Sequence, residues 1–281
     1  MTPRRFAVVG DPIAHSKSPT MHRAAFRALG LPHTYEAIRA TESDLLAVLG
    51  LVREGALAGL NVTIPHKQHV LALVDRLDPS ARAAGAANTV VRDEDGALTA
   101  YNTDAPALAA EIHALAGGPL PPGASALVLG SGGAARAAIA ALGLHLGVRD
   151  IVVRARSFDD ESRRQAFEVA APSHVRAQAW APSASSEAKA SVLVQATSAG
   201  MRGVDGGDGL IHIVDWSALP ASAIAIDVVY APRDTPWLQA ARARGLRCDD
   251  GLAMLARQGA LALELWLGTK APLAAMRAAL E

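Results

Sequence analysis

Short apolar runs alternate with longer segments of helical periodicity along much of the chain. Three such pairs occur: Phe6–Val9 with Met21–Leu29, Leu60–Val62 with His69–Leu77, and Ala126–Leu129 with Ala134–Leu146. A short apolar run indicates a strand, and a longer periodic segment indicates the helix that follows it. The alternation therefore predicts parallel βαβ units and an α/β fold.

The chain also shows signals of domain organisation. A Gly/Pro cluster at Gly117–Gly123 follows the helical pattern of Ala105–Ala116, and we interpret it as the best domain boundary. The polar, small-residue stretch Ala181–Ala190 is typical of a surface loop or a frayed segment. The last helical pattern, Leu252–Leu267, carries a single glutamine, Gln258, near its middle.

Composition narrows the class of protein. The 281 residues are 51% hydrophobic, which is ample for burying a core. Lys and Arg number 27, as do Asp and Glu, so the formal net charge of zero gives no general reason to bind nucleic acid or acidic membranes. The lone Cys248 excludes an internal disulfide framework and any multi-cysteine metal site, which fits a cytoplasmic protein without a bound metal.

The apolar runs also bear on membrane insertion and export. Phe6–Val9 ends at Gly10-Asp11 and is too short for a secretory signal. No apolar run reaches the roughly 18 residues that a membrane span needs. The sequence predicts a soluble protein.

The first candidates for chemistry are a lysine and an aspartate. Lys67 closes the run Asn61–Lys67, and Asp104 closes Tyr101-Asn102-Thr103-Asp104. A charged ammonium can stabilise an oxyanion, and a neighbouring carboxylate can share its proton. Two alternatives remain: Lys67 as a solvated surface lysine, and Asp104 as a helix N-cap, a role that is compatible with catalysis.

A glycine-rich segment predicts the second half of a redox site. Gly130-x-Gly132-x-x-Ala135 follows an apolar strand and opens a helix, where backbone N–H groups can hold a pyrophosphate. A purely structural glycine turn is the alternative.

The strand that follows indicates which dinucleotide is preferred. NAD sites place an acidic residue at the end of this strand, but Asp150 precedes it, whereas Arg154, Arg156 and Ser157 follow it. Two guanidinium groups and a hydroxyl suit a 2′-phosphate, which favours NADP. The alternative is that both arginines are ordinary exposed charges.

Two polar segments are candidates for substrate contacts. Ser16 and Ser18 lie two residues apart before Pro19, a pattern that also marks a helix start. Asn88 follows Gly85-Ala86-Ala87 and is either a turn residue or an amide directed at a substrate hydroxyl.

Eight short motifs, taken in order, resemble the shikimate dehydrogenase family from Gly10 to Gln258. They are GDPIAHSKSP, GLNVTIPHK, GAANTV, YNTD, GSGGAARA, QATSAGM, DVVYAPRDTP and GLAMLARQ. The resemblance implies a two-domain α/β protein: a substrate-binding and catalytic domain over residues 1–107, completed by C-terminal helices at 250–281, and an NADP-binding Rossmann domain over 108–249. It also implies NADPH-dependent reduction of 3-dehydroshikimate to shikimate in chorismate and aromatic amino-acid biosynthesis, by a monomer or homodimer in the cytoplasm.

The resemblance further implies roles for individual residues. Lys67 and Asp104 fall on the catalytic pair, and the substrate-binding set is Ser16, Ser18, Thr63, Lys67, Asn88, Asp104, Tyr230 and Gln258. The cofactor-binding set is Gly130, Ser131, Gly132, Gly133, Ala134, Arg154, Arg156, Ser157, Val228 and Gly251.

Some positions depart from the family pattern. Ala155 stands where the family usually has Asn, and Asp160 stands where a further arginine is often found, which softens the expected preference for NADP. Gln195 replaces a common Asn, and Arg23 replaces an Asn after His22, where it either alters carboxylate binding or lies on a helix surface.

Two other functions stay open. A relative acting on quinate or an amino analogue would use the same chemistry, although the paired serines weakly favour shikimate. A non-catalytic sensor of shikimate or cofactor would have no need of a proton relay, so the presence of both Lys67 and Asp104 argues against it.

Overall fold

The computed structural model describes residues 2–281 and divides into two compact units. Of the described residues, the first unit comprises 2–107 and 253–281, and the second comprises 108–252. The Gly117–Gly123 cluster therefore lies within the second unit. Each unit carries its own sheet and core, so the two-domain α/β prediction is confirmed.

The first unit is built around a mixed sheet in the order β2-β1-β3-β5-β6-β4. Its strands are β1 (Arg5–Gly10), β2 (Thr34–Arg39), β3 (Gly59–Val62), β4 (Arg76–Leu77), β5 (Thr89–Arg92) and β6 (Leu98–Tyr101). Its first helices are α1 (Ser18–Ala28), α2 (Leu45–Arg53) and α3 (Pro79–Ala84), and α4 (Asp104–Ala116) begins at its end. Strands β1 and β3 run parallel and are buried along nearly their whole length, as expected of strands covered on both faces.

The second unit holds a parallel sheet in the order β12-β11-β10-β7-β8-β9. Its strands are β7 (Ser125–Leu129), β8 (Asp150–Arg154), β9 (Val175–Gln178), β10 (Ala190–Gln195), β11 (Ile224–Asp227) and β12 (Arg247–Asp249). Helices α5 (Gly133–Ala140), α6 (Glu161–Ala170), α7 (Ala184–Glu187) and α8 (Pro236–Ala243) connect them, and a π-helical turn, Ala141–His145, extends α5. The order changes direction at β7, the point where a doubly wound sheet usually binds its ligand.

The C-terminal helices α9 (Leu252–Leu267) and α10 (Leu273–Ala278) bring the chain back to the first unit. Trp266 of α9 packs so closely on Gly59 of β3 that a Cβ there would lie 2.4 Å from the indole nitrogen. The same indole donates to the backbone oxygen of Val90 at 3.1 Å. These contacts fix the helix that carries Gln258.

Several sequence-based predictions of local structure are wrong. His69–Leu77 is not one helix but a 3₁₀ turn (His69–Ala72) followed by β4, because Arg76 and Leu77 pair with β6. The stretch Ala181–Ala190 contains α7 and the fully buried Glu187, so it is not simply a surface loop. Strand β5 is antiparallel to both its neighbours, which departs from a purely parallel arrangement.

Candidate active site

Lys67 and Asp104 form an ion pair in the first unit. Lys67 Nζ lies 2.7 Å from Asp104 Oδ2. The side chain of Lys67 is 18% exposed and that of Asp104 is 5% exposed. The ammonium is thus reachable by a small molecule, while the carboxylate that holds it is fixed in the protein interior.

A different residue caps helix α4 and leaves Asp104 available. The backbone N–H of Ala105 donates to Asn102 Oδ1 at 2.9 Å, and Asn102 Nδ2 donates to the backbone oxygen of Ala86 at 2.8 Å. Asn102, and not Asp104, is therefore the residue whose side chain caps the start of this helix. Asp104 is the first residue of α4, where the helix dipole favours a negative charge.

Asn88 joins this pair to the C-terminal helix. Its Nδ2 lies 2.9 Å from Asp104 Oδ1 and 3.1 Å from Gln258 Oε1. Its Oδ1 accepts the backbone N–H of Thr103 at 2.8 Å, which fixes the orientation of the carboxamide. Four of the predicted site residues, Lys67, Asn88, Asp104 and Gln258, thus lie in one hydrogen-bonded cluster.

The remaining predicted substrate residues of this unit lie on loops that follow adjacent strands. Ser16 and Ser18 come after β1, with Ser18 buried at the start of α1 and Ser16 Oγ accepting its backbone N–H at 3.3 Å. Thr63 follows β3, and a Cβ on Gly10 would lie 2.5 Å from Thr63 Cγ2. Because β1 and β3 are parallel, both loops leave the same edge of the sheet. Among residues 2–281, no hydrogen bond joins either serine to Lys67 or Asp104.

The glycine turn of the second unit lies between β7 and α5. Gly130 has a φ of +114°, and a Cβ there would lie 2.9 Å from the backbone oxygen of Ala196, so only glycine fits without strain. A Cβ on Gly132 would meet nothing within 4 Å. Gly133 begins α5, so Gly132, Gly133 and Ala134 form the turn into the N-terminus of this helix. This arrangement suits an anionic ligand.

Polar groups from the ends of β7 and β8 lie beside this turn. Ser131 Oγ and Ser157 Oγ are 3.3 Å apart. The side chain of Arg156 is 69% exposed, with Nη1 3.8 Å from Asp205 Oδ2. Asp160 caps α6 by accepting the backbone N–H groups of Ser162 and Arg163. Asp160, which replaces an arginine often found in the family, thus serves as the N-cap of α6.

Arg154 does not belong with these residues. Its guanidinium is fully buried and pairs with Glu187 of α7, with Nη1–Oε1 at 2.6 Å and Nη2–Oε2 at 3.0 Å. Further bonds to Gln178 and to the backbone oxygen of Ile213 occupy its donors. The expectation that Arg154 faces a cofactor phosphate is contradicted, because its charge is neutralised in the core.

The predicted residues after β11 lie near one another. A Cβ on Gly251 would lie 2.2 Å from the backbone oxygen of Val228, and Gly251 N–H donates to the backbone oxygen of Val229 at 3.1 Å. Tyr230 follows and is partly exposed. Beneath this strand end, burial raises the pKa of Asp227 to about 7, with the charge of Asp250 adding to the effect.

Two departures from the family pattern have structural explanations. Gln195 is fully buried, with Nε2 3.1 Å from the backbone oxygen of Ala199 and 3.2 Å from Asp227 Oδ1. Exposed Arg23 donates to the backbone oxygen of Tyr35 at 3.0 Å, which is the helix-surface alternative.

Sequence reasoning missed the residues that support the cluster. They are Tyr35, Asn61, Thr89 and Thr103, all buried and hydrogen-bonded to one another or to Asn88. The available signal was a polar residue within an otherwise apolar strand, as with Asn61 in β3. Within residues 2–281, no group of three or more His, Cys, Asp or Glu is arranged to hold a metal ion, and no helix is long and apolar enough to cross a membrane.

Comparison with known protein families gives two matches. The shikimate dehydrogenase substrate binding domain matches residues 8–90, and the shikimate 5′-dehydrogenase C-terminal domain matches residues 251–281. Both matched segments contribute residues to the cluster around Lys67.

Individual relatives match nearly the whole chain. The shikimate dehydrogenase (NADP⁺) of Methylobacterium radiotolerans is 41% identical over 96% of this chain and 93% of its own length. The crystal structure of Thermus thermophilus shikimate 5-dehydrogenase in complex with NADP(H) and shikimate is 37% identical, with a TM-score of 0.81 over 99% of this chain and 98% of that one. The ligand-free 5-ketofructose reductase of a Gluconobacter species is 28% identical, with a TM-score of 0.82 over 100% and 98%.

Proposed function

The chain belongs to the shikimate dehydrogenase family, and from that premise we propose that it is an NADP-dependent oxidoreductase acting on a CH–OH group. It reduces 3-dehydroshikimate reversibly to shikimate, a step of chorismate and aromatic amino-acid biosynthesis. The observation that carries the proposal is the Lys67–Asp104 pair, with 2.7 Å between Nζ and Oδ2 and the lysine still partly exposed. A pure binding protein has no need of such a pair.

The pair matches the needs of ketone reduction. Bound NADPH supplies the hydride. As the ketone oxygen becomes an alkoxide, Lys67 Nζ provides a positive charge and a proton, and Asp104 Oδ2 holds the ammonium in place. In the oxidation direction, the neutral amine of Lys67 receives the hydroxyl proton, and Asp104 Oδ2 holds the ammonium that forms.

The substrate lies against residues of the first unit in this proposal. Ser16 and Ser18 hold the carboxylate, while Thr63, Asn88 and Gln258 bond the ring hydroxyls, and Tyr230 is a further proposed substrate residue. The cluster of Asn88, Asp104 and Gln258 supports this because it presents several buried polar groups close to the ammonium. A site of this kind discriminates against analogues that lack a bonding hydroxyl.

The cofactor residues fit NADP in charge and shape. The N-terminus of α5, which begins at Gly133, suits the pyrophosphate, and exposed Arg156 with Ser157 suits the 2′-phosphate. Gly251, tightly packed on Val228, marks the proposed nicotinamide end. The residues proposed to hold the cofactor are Gly130, Ser131, Gly132, Gly133, Ala134, Arg156, Ser157, Val228 and Gly251.

We also propose that the protein acts in the cytoplasm as a monomer or homodimer, without nucleic-acid or membrane partners. The formal net charge of zero and the free thiol of Cys248 support this. Light scattering of the purified chain would give the oligomeric state.

The alternative substrates are quinate, an amino analogue of shikimate, or a ketone other than 3-dehydroshikimate. The similarity to a 5-ketofructose reductase favours testing this directly, because a related chain of the same fold is named for a different ketone. We expect shikimate to be preferred over quinate, whose additional hydroxyl lies beside the carboxylate that Ser16 and Ser18 would hold.

The test is a side-by-side turnover assay of shikimate and quinate, each with NADP and NAD. A higher kcat/KM for quinate would replace the substrate assignment while keeping the chemistry of Lys67. Tight binding of shikimate without turnover by any cofactor would favour the sensor alternative.

A further inference from the structure

A line of buried polar side chains leads from strand β2 to Asp104. Tyr35 donates its hydroxyl to Asn61 Oδ1 at 2.7 Å, and Asn61 Nδ2 donates to Thr89 Oγ1 at 3.1 Å. Thr89 Oγ1 in turn donates to Asn88 Oδ1 at 3.3 Å. Tyr35 and Thr89 are fully buried, and Asn61 is 5% exposed. Polar groups in such a place require hydrogen bonds to each other.

The hydrogen bonds in this line all point the same way. A carbonyl oxygen only accepts, so the Tyr35 hydroxyl must donate to Asn61. Asn61 Nδ2 also donates to the backbone oxygen of Asn88 at 3.0 Å, so rotating its carboxamide by half a turn would place two oxygens face to face. The orientation of Asn61 is therefore fixed at both ends.

That orientation determines what Thr89 can do. Because Asn61 occupies an acceptor position on Thr89 Oγ1, the single hydroxyl proton of Thr89 is free to go to Asn88 Oδ1. Thr103 also lies near this hydroxyl, with Oγ1–Oγ1 at 3.4 Å. Asn88 Oδ1 thus receives the Thr89 hydroxyl and the Thr103 backbone N–H, and its Nδ2 faces Asp104 Oδ1.

We propose that Thr89 and Asn61 are positioning residues of the reaction: they hold the Asn88 carboxamide so that an N–H of its Nδ2 fixes the Asp104 carboxylate beside Lys67. The inference rests on the proposed function for its kinetic consequence. Small displacements of a group that must align with a reacting atom lower the rate strongly. Hydrogen bonds aligned head to tail also polarise one another, so loss of an inner member weakens the last one.

Strand β6 offers a matched control. Thr99 is 7% exposed, and its hydroxyl donates to Asp93 Oδ2 at 2.7 Å, away from the Asn88 line. Thr89 and Thr99 lie on paired strands of the same sheet. Thr89→Val and Thr99→Val therefore remove the same atom from similar surroundings, while Thr89→Ser keeps the hydroxyl.

The experiment measures kcat and both KM values for shikimate oxidation with NADP. We expect Thr89→Val to lower kcat about tenfold, with the NADP KM within about twofold of wild type. Thr89→Ser should restore kcat to within about twofold, and Thr99→Val should leave it unchanged whatever its effect on the melting temperature. Wild-type kcat in Thr89→Val, or an equal loss in Thr99→Val, would overturn the proposal.

Two further measurements keep the outcomes separate. If Thr89→Val does not fold, Tyr35→Phe takes its place. We expect this variant to lower kcat about threefold or more, and a wild-type kcat would overturn the proposal. If the wild type itself does not turn over shikimate, the proposed function fails, and positioning is read from a crystal structure of Thr89→Val. An Asn88 Nδ2–Asp104 Oδ1 distance beyond about 3.5 Å supports the inference, and an unchanged distance rejects it.

Discussion

Asn88 and Gln258 lie 170 residues apart in the chain, yet Asn88 Nδ2 donates to Gln258 Oε1 at 3.1 Å. The contact means that the cluster around Asp104 is complete only when helix α9 has packed on the first sheet. Trp266, which fills the space over Gly59, is the anchor for that packing. The chain thus couples formation of the proposed active site to the docking of its last long helix.

Replacement of Lys67 by alanine should lower kcat by about two to four orders of magnitude, because it removes both the charge and the proton proposed to act on the substrate oxygen. The shikimate KM should change comparatively little. Steady-state kinetics with a circular-dichroism check of folding give the measurement. Lys270→Ala, at an exposed lysine of the same unit, is the control, and near-normal turnover of folded Lys67→Ala would remove Lys67 from the mechanism.

Arg156 and Asp205 should affect cofactor choice in opposite directions. Arg156→Ala should raise the NADP KM about tenfold or more while the NAD KM changes little, because the lost partner is the 2′-phosphate. Asp205→Asn should lower the NADP KM, since its carboxylate lies 3.8 Å from the guanidinium and competes with the phosphate. Arg163→Ala, at an exposed arginine of the same unit, is the control. Equal effects on both cofactors would place Arg156 elsewhere.

The buried pair of Arg154 and Glu187 should matter for stability and not for cofactor binding. Glu187→Gln leaves the guanidinium uncompensated in the core, and we expect a loss of about 3–5 kcal/mol in the free energy of unfolding. Arg176→Ala, at an exposed pair with Asp150, should cost under about 1 kcal/mol. Urea unfolding and NADP titration give the two readouts. Weakened NADP binding with unchanged stability would return Arg154 to the cofactor site.

Local pattern was sufficient for part of the fold. The runs that became β1, β7 and β8 are continuous apolar segments, the run that became β3 is interrupted only by Asn61, and helix α9 was predicted with its observed bounds, Leu252–Leu267. Strand β4 was missed because its two residues are strands only by pairing with β6. Such pairing depends on partners distant in sequence, which hydrophobic periodicity does not reveal.

The same limit applies to the site. Lys67 and Asp104 were recognisable from motifs, and the structure places them in contact. Arg154 was predicted to be a phosphate ligand because the sequence does not reveal its partner. That partner, Glu187, lies 33 residues away in a stretch whose composition indicates a loop. The supporting role of Thr89 was invisible for a related reason, since its neighbours Asn61 and Thr103 come from other segments.

Asp227 is the remaining buried acid with a clear consequence for stability. Its carboxyl accepts from Thr235 Oγ1 at 2.6 Å and from the backbone N–H of Val229 at 2.9 Å, yet burial still raises its pKa from 3.8 to about 7. In the unfolded chain this group loses its proton near pH 4, whereas in the native state it keeps the proton up to about pH 7. Between those values the unfolded state binds fewer protons, so this carboxyl makes stability fall as the pH rises.

Asp227→Asn should therefore be about as stable as wild type near pH 4 and more stable above pH 7, by an amount on the order of a few kcal/mol. The amide can keep both hydrogen bonds, accepting from Val229 and donating to Thr235, whose hydroxyl can rotate.

Asp215→Asn in the same unit is a control of opposite sign. Hydrogen bonds from Ser217 and Ala218 lower the pKa of this carboxyl, so the substitution should destabilise the protein at neutral pH and have little effect in acid. Urea unfolding at pH 4, 6 and 8, followed by tryptophan fluorescence, gives the comparison, because Trp180, Trp216 and Trp237 all lie in this unit. A stability difference between Asp227→Asn and wild type that does not change with pH would show that the native carboxyl titrates at its ordinary value.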